Sequence, residues 1–459
     1  MTRLVPSRLS RRQLLRSAAG AAVACAGSLP APGQNAARLP KVAALFTEMR
    51  FKSHAHHIVE CCLGPYLFNG QLVEPGCEVV SFFADQFPAS DWARGGSARY
   101  RIPLYKTIDE ALCLGGSDLA VDAVLLIGEH GDYPTNELGQ QLYPRKQFFN
   151  QAVSVMRRSN RYLPLFNDKH LSYRWDWAKQ MYDTARSHGM PLVAGSSVPL
   201  AERRPPLDLP TGARIQSALA VHGGGMESYG FHGLELLQSF IEARRGGETG
   251  VRQVELLSGD ALQRAADAGR WSRALFQAAM DAERNSGARR RQEVLPLPTK
   301  PVVPAPPDDL RTIHHGILVT YRDGLQAAVI QAGGNSDRWN FACQLEGESR
   351  PRATALFNGP WGNRCLFRAL SHAIQSMFRI GREPYPAERT LLTTGVLEAA
   401  MRSHAAGKPI DTPHLAIAYQ PVDFSAFRET GASWKLITAD TPEPLEFAPG
   451  GDRQYLARQ

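Results

Sequence analysis

Acidic residues are missing from the first 40 positions, which carry six arginines: Arg3, Arg8, Arg11, Arg12, Arg16 and Arg38. The whole chain has 52 Lys+Arg against 44 Asp+Glu, a formal charge of +8, and without that stretch the balance is 46 against 44. The positive charge therefore belongs to the N-terminus, and nothing in it points to nucleic-acid binding. Cysteine is sparse, seven in 459 residues, which excludes a disulfide framework. No apolar run reaches the about 20 residues of a membrane-spanning helix. There is no internal repeat. With 43% hydrophobic and 21% charged residues, the composition is that of a globular chain. At roughly 150 residues per domain, the length predicts two or three domains.

The N-terminal stretch has an order of its own. Ser10-Arg11-Arg12-Gln13-Leu14-Leu15-Arg16 precedes a small-residue apolar run, Ser17 to Ala26, and Ala24-Cys25-Ala26 ends it. Basic, apolar and small-residue segments in that order are the layout of an export signal. The Arg pair makes it resemble a twin-arginine signal. This predicts a leader over residues 1–40, handled by the twin-arginine machinery and cut near Ala26. The mature protein is expected in the periplasm or outside the cell, with no transmembrane segment. Lipid attachment at Cys25 is the alternative; the usual Leu three positions earlier is missing.

Beyond the leader, short apolar runs alternate with helical patterns. Val42–Phe46, Glu78–Ala84, Val121–Ile127, Tyr162–Phe166 and Leu192–Ala194 read as strands. Helices are expected through His57 and Cys62, over Phe148–Arg158, and over residues 175–188. The last carries Trp175, Ala178, Tyr182 and Ala185 on one stripe. Such alternation predicts a Rossmann-like, doubly wound parallel sheet over residues 41–198. The pattern changes after Pro199. Glu202–Pro210 reads as a crossing segment, and helices are expected at Leu234–Ile241 and 261–284. Arg289–Pro307 reads as an exposed Pro-rich loop. Four strands between Ile317 and Phe357 and a helix at Arg389–His404 complete an α+β domain over 199–459. Its sheet is expected to be large, open and mostly antiparallel, with a homo-oligomer formed through it.

Ligands of doubly wound sheets bind at the carboxyl ends of the strands. The first turn there, Thr47-Glu48-Met49-Arg50-Phe51-Lys52-Ser53-His54, has no glycine. A dinucleotide turn uses glycines because Cβ atoms keep the backbone from the pyrophosphate. A nucleotide would have to be held by side chains such as Thr47, Arg50 and Ser53, with Asp85 at the second strand's end facing the ribose. Gly128-Glu129-His130-Gly131-Asp132 follows the best buried strand and holds three titratable groups in four residues. His54, His57 and Cys61 share a helix face with zinc-like ligand types. Such residues on a helix after the first strand pack more often than they ligate, so no metal is expected.

The order of segments resembles the Gfo/Idh/MocA oxidoreductases over most of residues 41–420. Val121-Asp122-Ala123-Val124 resembles that family's fourth-strand motif. Phe166-Asn167-Asp168-Lys169-His170 stands where the family has Glu-Lys-Pro, so Lys169 matches its catalytic lysine. Gly223-Gly224-Gly225 followed by Gly230-Phe231-His232 matches the Gly-rich strand and the helix-borne Asp-x-Gly-x-His, which gives His232 the proton-transfer role. Ser228 replaces the motif's Asp; its neighbours Glu227 and Tyr229 join the catalytic candidates. The resemblance implies NAD or NADP as cofactor, with the loop after the best buried strand near the nicotinamide ribose, so that Glu129 and His130 join the cofactor-binding candidates, and hydride transfer to or from a sugar or polyol hydroxyl. Histidine suits proton exchange near neutral pH, and a lysine can stabilise the oxygen's developing charge. Two other readings stand beside it. One is a non-redox carbohydrate lyase, hydratase or hydrolase on the same scaffold; the other is a cofactor-free sugar-binding protein.

Overall fold

A computed structural model describes residues 38–288 and 313–456. The Arg11-Arg12 leader, Cys25 and the Arg289–Pro307 loop lie outside the described residues. Leu39–Gln459 form one compact unit.

The first layer is a parallel sheet. Its strands are β1 (Lys41–Phe46), β4 (Glu78–Ala84), β5 (Leu104–Tyr105), β6 (Ala123–Ile127), β7 (Leu165–Asp168) and β8 (Leu192–Gly195). A small hairpin, β2 (Tyr66–Phe68) and β3 (Gln71–Val73), stands apart. The spatial order is β5-β4-β1-β6-β7-β8, all pairs parallel. Without the hairpin this is strand order 3-2-1-4-5-6, with the topological switch between β1 and β6. Both faces are buried, which is why the strands read as continuous apolar runs. Val42, Ala44 and Phe46 of β1 point into one core with Ile58 and Val59 of helix α1 (His54–Leu63). Ala43 and Leu45 point into another, on the side of α4 (Arg145–Arg158) and α5 (Trp175–Ser187). Between β4 and β6 lie α2 (Ala93–Tyr100) and α3 (Ile108–Cys113).

The second layer is a sheet of eight strands, in the order β16-β11-β12-β13-β10-β14-β15-β9. These are β9 (Glu202–Arg204), β10 (Ile215–His222), β11 (Val251–Ser258), β12 (Ile313–Tyr321), β13 (Gln326–Ala332), β14 (Trp339–Leu345), β15 (Arg352–Phe357) and β16 (Ile410–Asp411). Only β10 and β13 pair in parallel, so the sheet is mostly antiparallel as expected. Glu202–Pro210 is more than a crossing segment, since its first three residues form the edge strand β9. One face carries α6 (Met226–Ile241) and α10 (Ala387–Ala406). The other carries α7 (Gly259–Asp267) and α8 (Arg273–Asn285), with Leu262, Leu275 and Met280 packed on Leu219, Val221 and Ile330. The chain's own helices α7 and α8 thus pack on that second face. Helix 261–284 is also two helices, broken around Gly269, which has φ 73°.

A long helix escaped the sequence reading. α9 (Asn363–Ile380) follows β15 and packs on α1 of the first layer, burying Phe367, Leu370, Ile374 and Met377. The short helix α11 (Arg453–Leu456) ends the described chain. No described helix is long and apolar enough to cross a membrane.

Helix α6 lies close on the second sheet because Gly233 has no side chain. A Cβ there would meet Val329 Cγ1 at 2.5 Å and His222 Cδ2 at 3.2 Å. Gly233→Ala gains about 0.5–1 kcal/mol of helix propensity against an overpacking cost of about 1–3 kcal/mol. The expected result is a net loss of stability, seen as a lower urea midpoint. An unchanged or raised midpoint would mean that the helix can retreat.

Candidate active site

The β1–α1 turn is closed upon itself. Thr47 Oγ1 donates to Glu129 O at 2.7 Å. Glu48 is buried and pairs with Arg50, Nε to Oε1 2.6 Å. Ser53 caps α1: its Oγ accepts from the N–H groups of Arg50 and His56 at 3.1 and 3.2 Å. Asp85 accepts the Tyr133 hydroxyl at 2.5 Å. Beside it Gln86 and Asp132 exchange two hydrogen bonds, at 2.8 and 3.0 Å. The loop after β6 thus crosses the end of β1 and is pinned to the end of β4. Thr47, Arg50, Ser53 and Asp85 are each engaged within the protein.

Deeper at the switch point is a cavity of about 350 Å³. His54, Glu129, Lys169, Tyr229, His232 and Trp339 border it. Lys169 follows β7 directly, with φ 57°, and its backbone oxygen accepts from Gly195 N at 3.0 Å. This fixes the side chain's exit from the sheet. Lys169 Nζ donates to Glu129 Oε1 at 2.7 Å and to Ser228 Oγ at 2.9 Å. An ammonium has three N–H groups, so one remains for a ligand. Arg145 grips the other oxygen of Glu129. Burial works to raise the Glu129 carboxyl, and the Lys169 and Arg145 charges overrule it, holding it well below the usual carboxylate range. Glu129 therefore belongs with the lysine, and it supplies the carboxylate that Ser228 does not.

His232 lies in the second turn of α6, not at its start. Its Nδ1 is 2.6 Å from Ser196 Oγ. Ser228 lies four residues before His232 and bonds Lys169, so lysine and histidine converge on one cavity from two layers. Burial, followed by the Lys169 charge, pushes His232 well below its ordinary pKa and keeps it neutral. Tyr229 stacks on Trp339 with ring centroids 5.5 Å apart and planes 6° apart. Glu227 instead faces His170 at 3.4 Å, away from the cavity.

Two further side chains line the space near α1. His54 Nδ1 is 2.7 Å from Asp168 Oδ2. His130, half-buried and at φ 72°, packs edge-on to His54 at 4.9 Å. Burial, then His54, holds His130 well below its ordinary pKa. Cys61 is buried in the packing, and the described residues hold no group of three or more His, Cys, Asp or Glu placed for a metal. Of the residues singled out in the sequence, Lys169, Tyr229, His232, Glu129 and His130 line this one cavity. Sequence reading missed Ser196, Arg145 and the His54–Asp168 pair, although Asp168 adjoins Lys169 in the quoted motif.

No protein-family model matches the sequence, and no curated protein matches it. Solved structures do match. GenD2 from gentamicin A biosynthesis, in complex with NAD, is 13% identical, with a TM-score of 0.51 over 83% of this chain and 99% of its own. Myo-inositol dehydrogenase from Lactobacillus casei, in complex with NAD(H) and myo-inositol, is 12% identical, with a TM-score of 0.49 over 82% and 97%. At such identity the GenD2 likeness is one of fold. The chain therefore has the fold that the resemblance to the Gfo/Idh/MocA oxidoreductases implies: a Rossmann-type parallel sheet followed by a large, mostly antiparallel one.

Proposed function

We propose that the chain is an oxidoreductase-like enzyme that acts on a sugar or polyol hydroxyl with NAD or NADP as cofactor. The observation that carries this reading is the convergence of Lys169 and His232 on one cavity. The GenD2 complex with NAD, in the same fold, supports the cofactor. In this reading residues 41–198 form the cofactor side and 199–459 the substrate side. A hydroxyl oxygen of the substrate sits between the free N–H of Lys169 and the His232 ring. The ammonium stabilises negative charge developing on that oxygen. A volume of about 350 Å³ holds a sugar ring but not a whole dinucleotide beside it. The loop after β6 must therefore leave Asp85 for the cofactor to enter.

Titrating the protein with NADH and NADPH, followed by nucleotide fluorescence, tests this. Binding of either, together with turnover of a sugar or polyol, is the expected result. Folded, ligand-free protein that binds neither would favour the second reading, a non-redox acid–base enzyme on carbohydrates. The pinned crevice at Asp85 is the observation on that side.

We also propose that the twin-arginine leader exports the chain already folded, to the periplasm or beyond. Changing Arg11 and Arg12 to Lys is expected to leave precursor in the cytoplasm, visible by fractionation. Undiminished export of that variant would overturn it.

A further inference from the structure

The motif comparison gives proton transfer to His232, but the surroundings of its ring point elsewhere. Ser196 Oγ lies 2.6 Å from His232 Nδ1 and accepts from Val198 N–H at 3.0 Å. A hydroxyl has one proton to give, and Ser196 is buried. Among the described residues the acceptor in reach of that proton is His232 Nδ1. Nδ1 is then an acceptor, and the proton of the neutral ring sits on Nε2. Such a histidine offers the cavity a donor, not a lone pair.

His54 is arranged the other way. Its Nδ1 is 2.7 Å from Asp168 Oδ2, and both side chains are almost completely buried. An ionised carboxylate only accepts, so Nδ1 carries the proton and Nε2 keeps its lone pair. The ring is held edge-on by Phe367 of α9 at 4.6 Å and His130 at 4.9 Å, and it borders the same cavity as Lys169 and His232. Two sequence features make this possible. His54 is the first residue of α1, in the turn that lacks glycines, and Asp168 is the last residue of β7, beside Lys169.

We propose that His54, oriented by Asp168, is the proton acceptor of this site, and that His232 is a hydrogen-bond donor to the reacting oxygen. The step balances within the cavity. The O–H bond of the substrate breaks and an N–H bond forms at His54 Nε2. The electron pair stays on oxygen as an alkoxide, facing the Lys169 ammonium and the His232 Nε2–H. The imidazolium formed at His54 is paired with the Asp168 carboxylate. The inference rests on reading the cavity as an active site, but not on the identity of the cofactor.

The first test needs no turnover. In protein labelled with 15N-histidine, with His54→Gln and His232→Gln used for assignment, His54 is expected to show a protonated Nδ1 and a bare Nε2. His232 is expected to show the reverse. A protonated Nε2 on neutral His54 overturns the proposal, whatever the enzyme does. The second test uses the substrate found in the preceding section. His54→Ala should lose about 10²–10⁴ in rate, with KM little changed, and imidazole in the buffer should restore part of it. Asp168→Asn should cost a similar factor and should not respond to imidazole. Full activity of His54→Ala, beside inactive Lys169→Met, would overturn the dyad and leave the proposed function standing. If wild type has no activity on sugars or polyols, the function fails and the labelled spectra still decide the dyad.

Discussion

Lys169→Met is expected to reduce turnover about 10²–10³-fold, the usual worth of one donor aimed at developing oxyanion charge. Methionine keeps the length and apolar stem, so the loss reports the ammonium. Lys169 is also the counter-ion of Glu129, which Arg145 holds from the other side at the same carboxylate. The variant leaves Glu129 with Arg145, so the fold should survive, as near-ultraviolet circular dichroism can check. His232→Gln should cost a comparable factor, because the amide can still donate but cannot match the ring's reach. The two losses should not add, since both groups act on one oxygen. A double variant no worse than the poorer single one is the expected pattern. Losses that multiply would place the two side chains in separate events, and unchanged kcat/KM in either single variant would remove it from the chemistry.

The second large effect is on stability. His57, His130, His222 and His232 are each driven well below the ordinary histidine pKa, chiefly by burial. Both ring nitrogens of His57 and of His222 are buried without a protein partner, so no carboxylate pulls those two back up. In the unfolded chain each would titrate near 6.5. Below that pH the unfolded state binds more protons than the folded one, so stability falls as pH falls. At pH 5.5 each ring contributes on the order of 1 kcal/mol of this loss, relative to neutral pH, and the four together several kcal/mol. Native stabilities of 5–15 kcal/mol make that a large share. Urea midpoints at pH 7.5 and 5.5 should therefore differ strongly. Replacing His222, whose ring nitrogens have no protein partner, by Gln should flatten the dependence by that ring's share. A midpoint that does not move between these pH values would contradict the burial of neutral imidazoles.

What could be read from the sequence follows from how local each signal is. Val42–Phe46 and Val121–Ile127 declared themselves because strands buried on both faces are apolar throughout. Lys169 and His232 could be placed by motif position, and the fold joined them. β9 was missed because Glu202-Arg203-Arg204 looks like loop, and its strand character comes from pairing with β15. α9 was missed although Leu366, Leu370, Ile374 and Met377 carry a helical stripe. The pairing of Glu129 with Lys169, and of Asp85 with Tyr133, spans 40 and 48 positions of chain. No spacing rule reaches that far, so these pairings could not be read from the sequence.

The four strands that end the two sheets are short: two residues in β5, four in β8, two in β16 and three in β9. β9 is Glu-Arg-Arg and runs straight into Pro205. A neighbouring molecule looking for a ladder to extend finds few free backbone groups, and at β9 it finds charge and a residue without an N–H. Growth of either sheet from one molecule to the next is therefore blocked at its margins. At high concentration the folded chain should resist stacking into fibres, while partly unfolded chains, with β10 to β14 uncovered, would have no such protection.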